Sequence, residues 1–224
     1  MNNIKTFENF NNKDIFEYIK NGDIQSIKNY IDYGYDLNIK NLHGDSPLIH
    51  AAKYDKIEIV KLLLNAGVGI DEQNNYGDTA LMWAAYKNNS EIVKLLLNAG
   101  AYVNKQNNDG NTALMFAVIH NNVEIVKLLL NAGADIDKQN NTGNAALIKA
   151  AYYNNVEIVE LLLDYYADEF ILNDDNKSFY NYLNDENKEY FLQNYPTSVY
   201  KAIYHNYKKS FTEFIKDYNI KNNK

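Results

Sequence analysis

The chain has 224 residues, of which 46% are hydrophobic, enough for one domain or a short repeat array that buries a core. Its net charge is -7 and every basic residue is Lys, which argues against nucleic acid as a partner, because phosphate backbones are bound by clustered cations. Cysteine is absent, which excludes disulfides, thiolate metal sites and a Cys nucleophile.

The sequence predicts neither a membrane-spanning segment nor a secretory signal. The first residues, MNNIKTFENFNNKD, lack the apolar stretch of a secretory signal. No run approaches the roughly 18 to 20 apolar residues needed to span a bilayer. We therefore expect a cytoplasmic protein that does not bind membranes. The 20 Tyr and the abundant Asn and Lys are interpreted as compositional drift.

Residues 1–43 are predicted to form a degenerate N-terminal capping unit of two short helices. The two apolar faces consist of Ile15, Phe16 and Ile19, and of Ile24, Ile27 and Ile31. Gly22 and Gly34 precede Asp55 and Gly67 of the next segment by 33 residues, which places the two segments in one register.

Residues 44–175 contain four repeats of 33 residues. The string EIVKLLLNAG begins at Glu58, Glu91 and Glu124, and EIVELLLDYY begins at Glu157. The glycines that open the repeats are followed by SPLIHAA, TALMWAA, TALMFAV and AALIKAA. The period predicts four equivalent units at 44–76, 77–109, 110–142 and 143–175.

Each repeat predicts two helices and a projecting loop. In the second, Thr79 is suited to cap the first helix, and Asn89 to cap the next. Asn88 tolerates the left-handed conformation that ends a helix, and Gly100 is expected to have a positive φ. The turn-forming residues 104–110 predict a hairpin. Two such short helices cannot bury their apolar faces alone, so the units must stack.

The period, the [ST]-[PA]-L-x-x-A-A opening and the EIVKLLLNAGA core resemble ankyrin repeats over residues 44–175. The resemblance implies an all-α ankyrin-repeat solenoid of stacked helix-turn-helix units with projecting β-hairpin loops. It also implies a partner bound on the concave side, formed by the first helices and the hairpin tips. The family's usual His in the opening motif is replaced, so its local hydrogen bonding is not expected here. The replacements are Ile49, Met82, Met115 and Ile148.

The last repeat departs from the pattern. Ala145 replaces the capping Ser or Thr, and Tyr166 replaces the helix-ending Gly, so we expect the end of that helix to differ. Residues 176–195 keep the spacing of two short helices, and Pro196 opens a further amphipathic helix. The apolar positions of that helix are Val199, Ile203, Tyr207, Phe211, Phe214 and Ile215. The polar tail 219–224 is expected to fray.

Two interpretations of residues 176–224 stay open. They form either a C-terminal cap over the exposed end of the stack or a docking element of an adaptor or effector, whose helices at 176–218 recruit a second component. We find no recruiting motif in them.

A variable stripe on the first helices is the candidate partner-binding site. These positions change from repeat to repeat while their neighbours stay nearly constant, and they share one helical face. They are His50, Lys53, Tyr54, Trp83, Tyr86, Lys87, Phe116, Ile119, His120, Lys149, Tyr152 and Tyr153. Trp83 and Phe116 are equally compatible with packing between neighbouring first helices. The secondary candidates are the hairpin tips Leu42, His43, Tyr76, Asp109 and Thr142.

No pattern in the chain predicts catalysis, a cofactor or a metal. The four histidines, at 43, 50, 120 and 205, lack metal-ligand spacing. The repeated Glu58, Glu91, Glu124 and Glu157 are interpreted as charges at helix starts rather than an acid–base pair. We therefore expect a monomeric, non-enzymatic module that binds another protein on its concave groove, without a cofactor.

Overall fold

The computed structural model of the chain describes residues 12–199, with side chains from residue 15. Over this range every regular element is an α-helix, and none is long and apolar enough to cross a membrane. The chain divides into two compact units between Ala134 and Asp135, here called unit 1 and unit 2. The predicted apolar positions from 203 to 215, His205 and the tail 219–224 lie outside the described residues.

Unit 1 is a stack of four helix pairs. Its helices are α1 Asn12–Asn21, α2 Ile24–Asp32, α3 Pro47–Lys53, α4 Ile57–Asn65, α5 Ala80–Tyr86, α6 Ser90–Asn98, α7 Ala113–Ile119 and α8 Val123–Asn131. The first helices α1, α3, α5 and α7 pack side by side in one layer, and the second helices α2, α4, α6 and α8 form the other. The repeated Leu, Ile and Ala side chains lie between the layers, where residues such as Leu48, Ala84 and Leu96 are buried.

Unit 2 contains the helices α9 Ala146–Tyr152, α10 Val156–Asp164, α11 Phe179–Tyr182 and α12 Asp185–Asn194. The prediction of two short helices within 176–195 is therefore confirmed. Residues 196–199 are helical, as predicted for the start of a further helix, and Val199 is buried. Helix α9 packs against α10 and α11.

The helix ends confirm the local predictions. Thr79 Oγ1 accepts from the Met82 amide and Asn89 Oδ1 from the Ile92 amide, as N-caps do. Asn88 and Gly100 have φ of 60° and 90°. Ala145 makes no side-chain cap at α9, as its sequence position predicted.

Two predictions for the apolar faces and helix ends are wrong. Ile24 is exposed, and Tyr30 takes a place in the core of the first pair, with its ring centroid 4.8 Å from that of Tyr35. Helix α10 ends like the equivalent helices of the other repeats. The Tyr166 amide, just after the helix, donates to Leu163 O, and Tyr166 has a φ of 62°. The same bond links Gly100 to Leu97. The helix end imposes the left-handed conformation on whichever residue stands there.

The loops between the repeats contain turns and, over residues 12–199, no strand. An asparagine stands at the same position of each loop, where sequence analysis saw only compositional drift. These residues are Asn41, Asn74, Asn107, Asn140 and Asn173. Asn74 Oδ1 accepts from the amides of Tyr76 and Asp78, both at 2.9 Å, and its Nδ2 donates at 2.9 Å to Oδ1 of Asp45, which lies in the loop at the start of the same repeat. Their 33-residue spacing was the signal that could have identified them.

Candidate functional site

The first helices of unit 1 carry an aromatic surface, which we call the unit 1 stripe. It consists of Lys53, Tyr54, Trp83, Tyr86, Lys87, Phe116, Ile119 and His120. Tyr54, Tyr86, Lys87 and His120 are exposed, and the other four side chains are half-buried. Because the helices of three neighbouring repeats contribute, residues 33 positions apart in the sequence share one surface.

Ring and cation contacts connect much of the unit 1 stripe. The Lys53 ammonium lies 4.7 Å from the centroid of the Trp83 ring, and Trp83 meets Tyr86 at 5.4 Å. Tyr86 in turn contacts Phe116 at 6.2 Å and His120 at 4.5 Å between ring centroids, edge to face. Perpendicular rings at these separations attract one another, so the stripe is a preformed aromatic surface.

The sequence left open whether Trp83 and Phe116 pack between neighbouring helices or lie on the accessible surface, and both residues do some of each. Both are half-buried, so each packs against its neighbours and also shows part of its ring to solvent. Trp83 Nε1 is buried and has no hydrogen-bond partner among the described residues. Most buried polar groups are paired, so the orientation of this ring is determined by packing and by the Lys53 ammonium rather than by a hydrogen bond.

His50 does not belong to the accessible stripe. It is 8% exposed, with its ring 5.2 Å from Phe16 and 4.7 Å from Tyr54. Its Nδ1 lies 3.7 Å from Asp45 Oδ2. The sequence placed His50 on the correct helix, but the preceding helix pair covers it, and periodicity within one helix does not show that cover.

Asp45, which sequence analysis missed, is the centre of a buried polar cluster beneath the stripe. It is fully buried, and Lys53 Nζ donates to its Oδ2 at 3.2 Å. Burial alone would raise the pKa of Asp45, but the neighbouring His50 ring and hydrogen bonds from Asn74 and Lys53 hold that pKa well below its usual range. The cluster therefore contains a stable negative charge that orients Lys53 toward Trp83.

Unit 2 carries the remaining predicted residues, Lys149, Tyr152 and Tyr153, on and just after α9. Tyr152 and Tyr153 are 63% and 47% exposed, and Lys149 is half-buried. Tyr182 of α11, which the sequence did not single out, has its ring centroid 5.5 Å from that of Tyr152. The three tyrosines line a groove of about 400 Å³.

The loop tips are exposed, as predicted for projecting loops. Leu42 is 94% exposed, and His43, Tyr76, Asp109 and Thr142 are also exposed. Successive tips in unit 1 are hydrogen-bonded to each other, with the Asn75 amide donating to His43 O at 3.0 Å and the Asn108 amide to Tyr76 O at 2.9 Å. The tips therefore form a ridge with a defined spacing.

The site contains no arrangement suited to metal chemistry. Within residues 12–199, no group of three His, Asp or Glu side chains is placed to hold an ion. Burial raises the pKa of Asp78, with Asn107 as its hydrogen-bond partner at 2.9 Å. That carboxyl belongs to the loop network, where its partner is a loop amide.

Comparison with known proteins identifies one family. The family described as ankyrin repeats (3 copies) matches residues 15–107 and 100–174, so the matched region covers most of the chain and includes the degenerate first unit. No curated protein matches the chain.

Proposed function

Because the chain belongs to the ankyrin repeat family, whose repeats are generally protein–protein interaction modules, we propose that the unit 1 stripe binds a partner protein. The proposal depends on one observation above all. Residues that vary between otherwise near-identical repeats form ring contacts across two repeats, and the Lys53 ammonium joins them from a third. Lys149, Tyr152 and Tyr153 are proposed as the corresponding contact residues of unit 2.

The physical basis is the chemistry of interface hot spots. Trp and Tyr dominate such sites because they bury much apolar area and lose little rotamer entropy. In the stripe, packing against Phe116 and His120 already holds Tyr86, so little further ordering is needed on binding. His50 is excluded from the proposed contact set because it is buried.

A pair of matched double variants tests the proposal. Proteins captured from native lysate by the wild type are quantified against those captured by Tyr86→Ala with Lys87→Ala. The control is Tyr102→Ala with Lys127→Ala, which also removes one exposed Tyr and one exposed Lys but lies away from the first helices. The stripe variant should capture a specific partner at least about tenfold less than the wild type, since a hot-spot side chain contributes roughly 1.4 kcal/mol or more. The control should capture as much as the wild type. Equal retention by both variants contradicts the proposal.

A cap at the C-terminal end agrees better with the described residues than a docking element. Helix α12 buries Phe191 and Leu192, and Val199 is fully buried, so the apolar side chains of this segment already face the protein. Asn187 Nδ2 donates to Asn154 Oδ1 at 2.6 Å, and Tyr190 Oη donates to a Glu160 carboxylate oxygen. Deleting residues 196–224 should therefore lower the midpoint of urea unfolding. Unchanged unfolding together with a lost partner would indicate docking.

We further propose that the protein is monomeric, cytoplasmic and without catalytic activity, and that its boundaries are those predicted at 43/44 and 175/176. A light-scattering mass near 25.8 kDa would support the monomer. Imaging of a tagged copy in native cells tests the location.

A further inference from the structure

The groove of unit 2 has walls that differ from the unit 1 stripe. The centroid of the Tyr152 ring lies 5.1 Å from that of Tyr153, with 75° between the ring planes. It lies 5.5 Å from that of Tyr182, with 68° between the planes. Since neighbouring rings are close to perpendicular, they present faces in different directions around one space. That space, about 400 Å³, is large enough for a single long side chain of a partner.

Carboxylates line the same groove. Asp174 and Asp175 are exposed, and both belong to the lining, while Lys149 is its one cationic lining residue. Asp174 is held in place because its amide donates to Thr142 O at 3.2 Å, and the Asp175 amide donates to Asn173 Oδ1 at 3.1 Å. The groove thus combines aromatic faces with two carboxylates whose backbone is held by hydrogen bonds.

In unit 2 a cation already lies against one of these rings, that of Tyr182. The Lys177 ammonium, which is not part of the groove lining, lies 5.4 Å from the centroid of the Tyr182 ring. Attraction between a cation and a tyrosine face operates within about 6 Å of the centroid. The more exposed rings of Tyr152 and Tyr153 offer the same kind of face to a ligand.

We propose that this groove binds a basic side chain, best an arginine, of the partner protein, an inference that rests on the proposed function. A guanidinium stacks on an aromatic face and donates to carboxylates at the same time, which suits a groove with both. The net charge of the chain, -7, favours approach of a basic segment. An acidic side chain would meet Asp174 and Asp175, and an apolar one would displace water from those carboxylates without replacing its hydrogen bonds.

The test uses a probe that needs no knowledge of the partner. N-acetyl-arginine methylamide is titrated into the full chain with labelled tyrosine rings, and ring signals are followed by NMR. We expect saturable shifts of the Tyr152 and Tyr153 signals with a dissociation constant on the order of 1 mM, typical of a ligand of this size. The citrulline analogue, which is isosteric and neutral, should bind about threefold to tenfold more weakly. Equal binding of both probes overturns the proposal.

Three variants locate the binding. Replacing Asp174 and Asp175 by Asn keeps their shape and should weaken arginine binding about threefold or more, whereas Lys149→Gln should strengthen it by removing a like charge. Tyr165→Leu, an exposed tyrosine outside the groove, is the control and should leave binding unchanged. Arginine binding that is insensitive to the Asn substitutions contradicts the assignment.

The outcome is separable from the test of the unit 1 stripe. The probe assay reads the groove alone, so the variant Tyr86→Ala with Lys87→Ala should bind arginine like the wild type. If that variant loses the partner and arginine still binds, both proposals stand. If the variant retains the partner and binds arginine, only the stripe proposal fails. If the variant loses the partner but neither the arginine nor the citrulline probe binds, only the groove proposal fails.

Discussion

Asp45 and Asp78 occupy the same position of successive repeats, yet replacing them by Asn is expected to change stability in opposite directions. Asp45→Asn should destabilise unit 1, and Asp78→Asn should stabilise it slightly. The third repeat has Asn111 at this position, so the loop geometry accommodates the amide. Each substitution keeps the size of the side chain and removes its negative charge.

The magnitudes follow from the partners of each carboxylate. Asp45 is fully buried and accepts from Lys53 at 3.2 Å, and an Asn there would lose this charged partner. Hydrogen bonds to charged groups contribute about 1.5–3 kcal/mol, so we expect a loss of about 2 kcal/mol. Asp78 has Asn107 as a partner, an amide that can donate equally to Asn, and no cation within ion-pair distance among the described residues. Removing its half-buried charge should gain a few tenths of a kcal/mol, up to about 1.

The stability contributions of Asp45 and Asp78 should also depend on pH in opposite ways. The pKa of Asp45 is lowered on folding, so its contribution is complete above the ordinary value of 3.8 and is lost as the pH falls below it. The pKa of Asp78 is raised on folding because of burial, so its charged form costs stability at neutral pH, and protonation on acidification removes that cost. Both differences from wild type should therefore shrink as the pH approaches 3.

Urea unfolding from neutral pH down to about pH 3 measures these differences. The fluorescence of Trp83, the single tryptophan, reports on unit 1 and circular dichroism on the whole chain. Equal changes in the free energy of unfolding for both variants, or a stabilising Asp45→Asn, would refute the assignment of Asp45 as a paired buried charge.

Three further changes test local features through the same urea assay. Tyr166→Gly should stabilise unit 2 by about 0.5–1 kcal/mol. This is the cost of a left-handed tyrosine less the added entropy of glycine in the unfolded chain, and a loss of stability would contradict the strain. Ala145→Thr should add about 1 kcal/mol by restoring an N-cap, and an unchanged midpoint would show that the cap does not form. Gly77→Ala should cost at least about 2 kcal/mol, because a Cβ there would lie 2.6 Å from the Asn108 amide nitrogen. Gly67→Ala, with a similar φ and no atom nearby, should cost only about 1 kcal/mol, and equal costs would argue against the close approach.

The local structure of each repeat was determined by the sequence. A helix cap requires only a side-chain oxygen beside the first amides, so Thr79 and Asn89 could be assigned from neighbouring residues alone. The repeat period did the same for the left-handed Asn88 and for the helix pair within 176–195, since equal spacing implies equal conformation. Tyr166 is the instructive error, because the register determined its backbone more strongly than its own preference did.

Only the tertiary structure decided which side chains reach solvent. His50 and Tyr54 lie on the same predicted stripe, but α1 packs against α3 and buries the first of them. Tyr30 entered the core and Ile24 did not, because burial depends on the neighbouring helices and not on hydrophobicity alone. The Asp45 cluster joins Asp45 to Asn74, 29 residues later in the same repeat, and a contact between residues so far apart in the chain arises only when successive loops pack side by side.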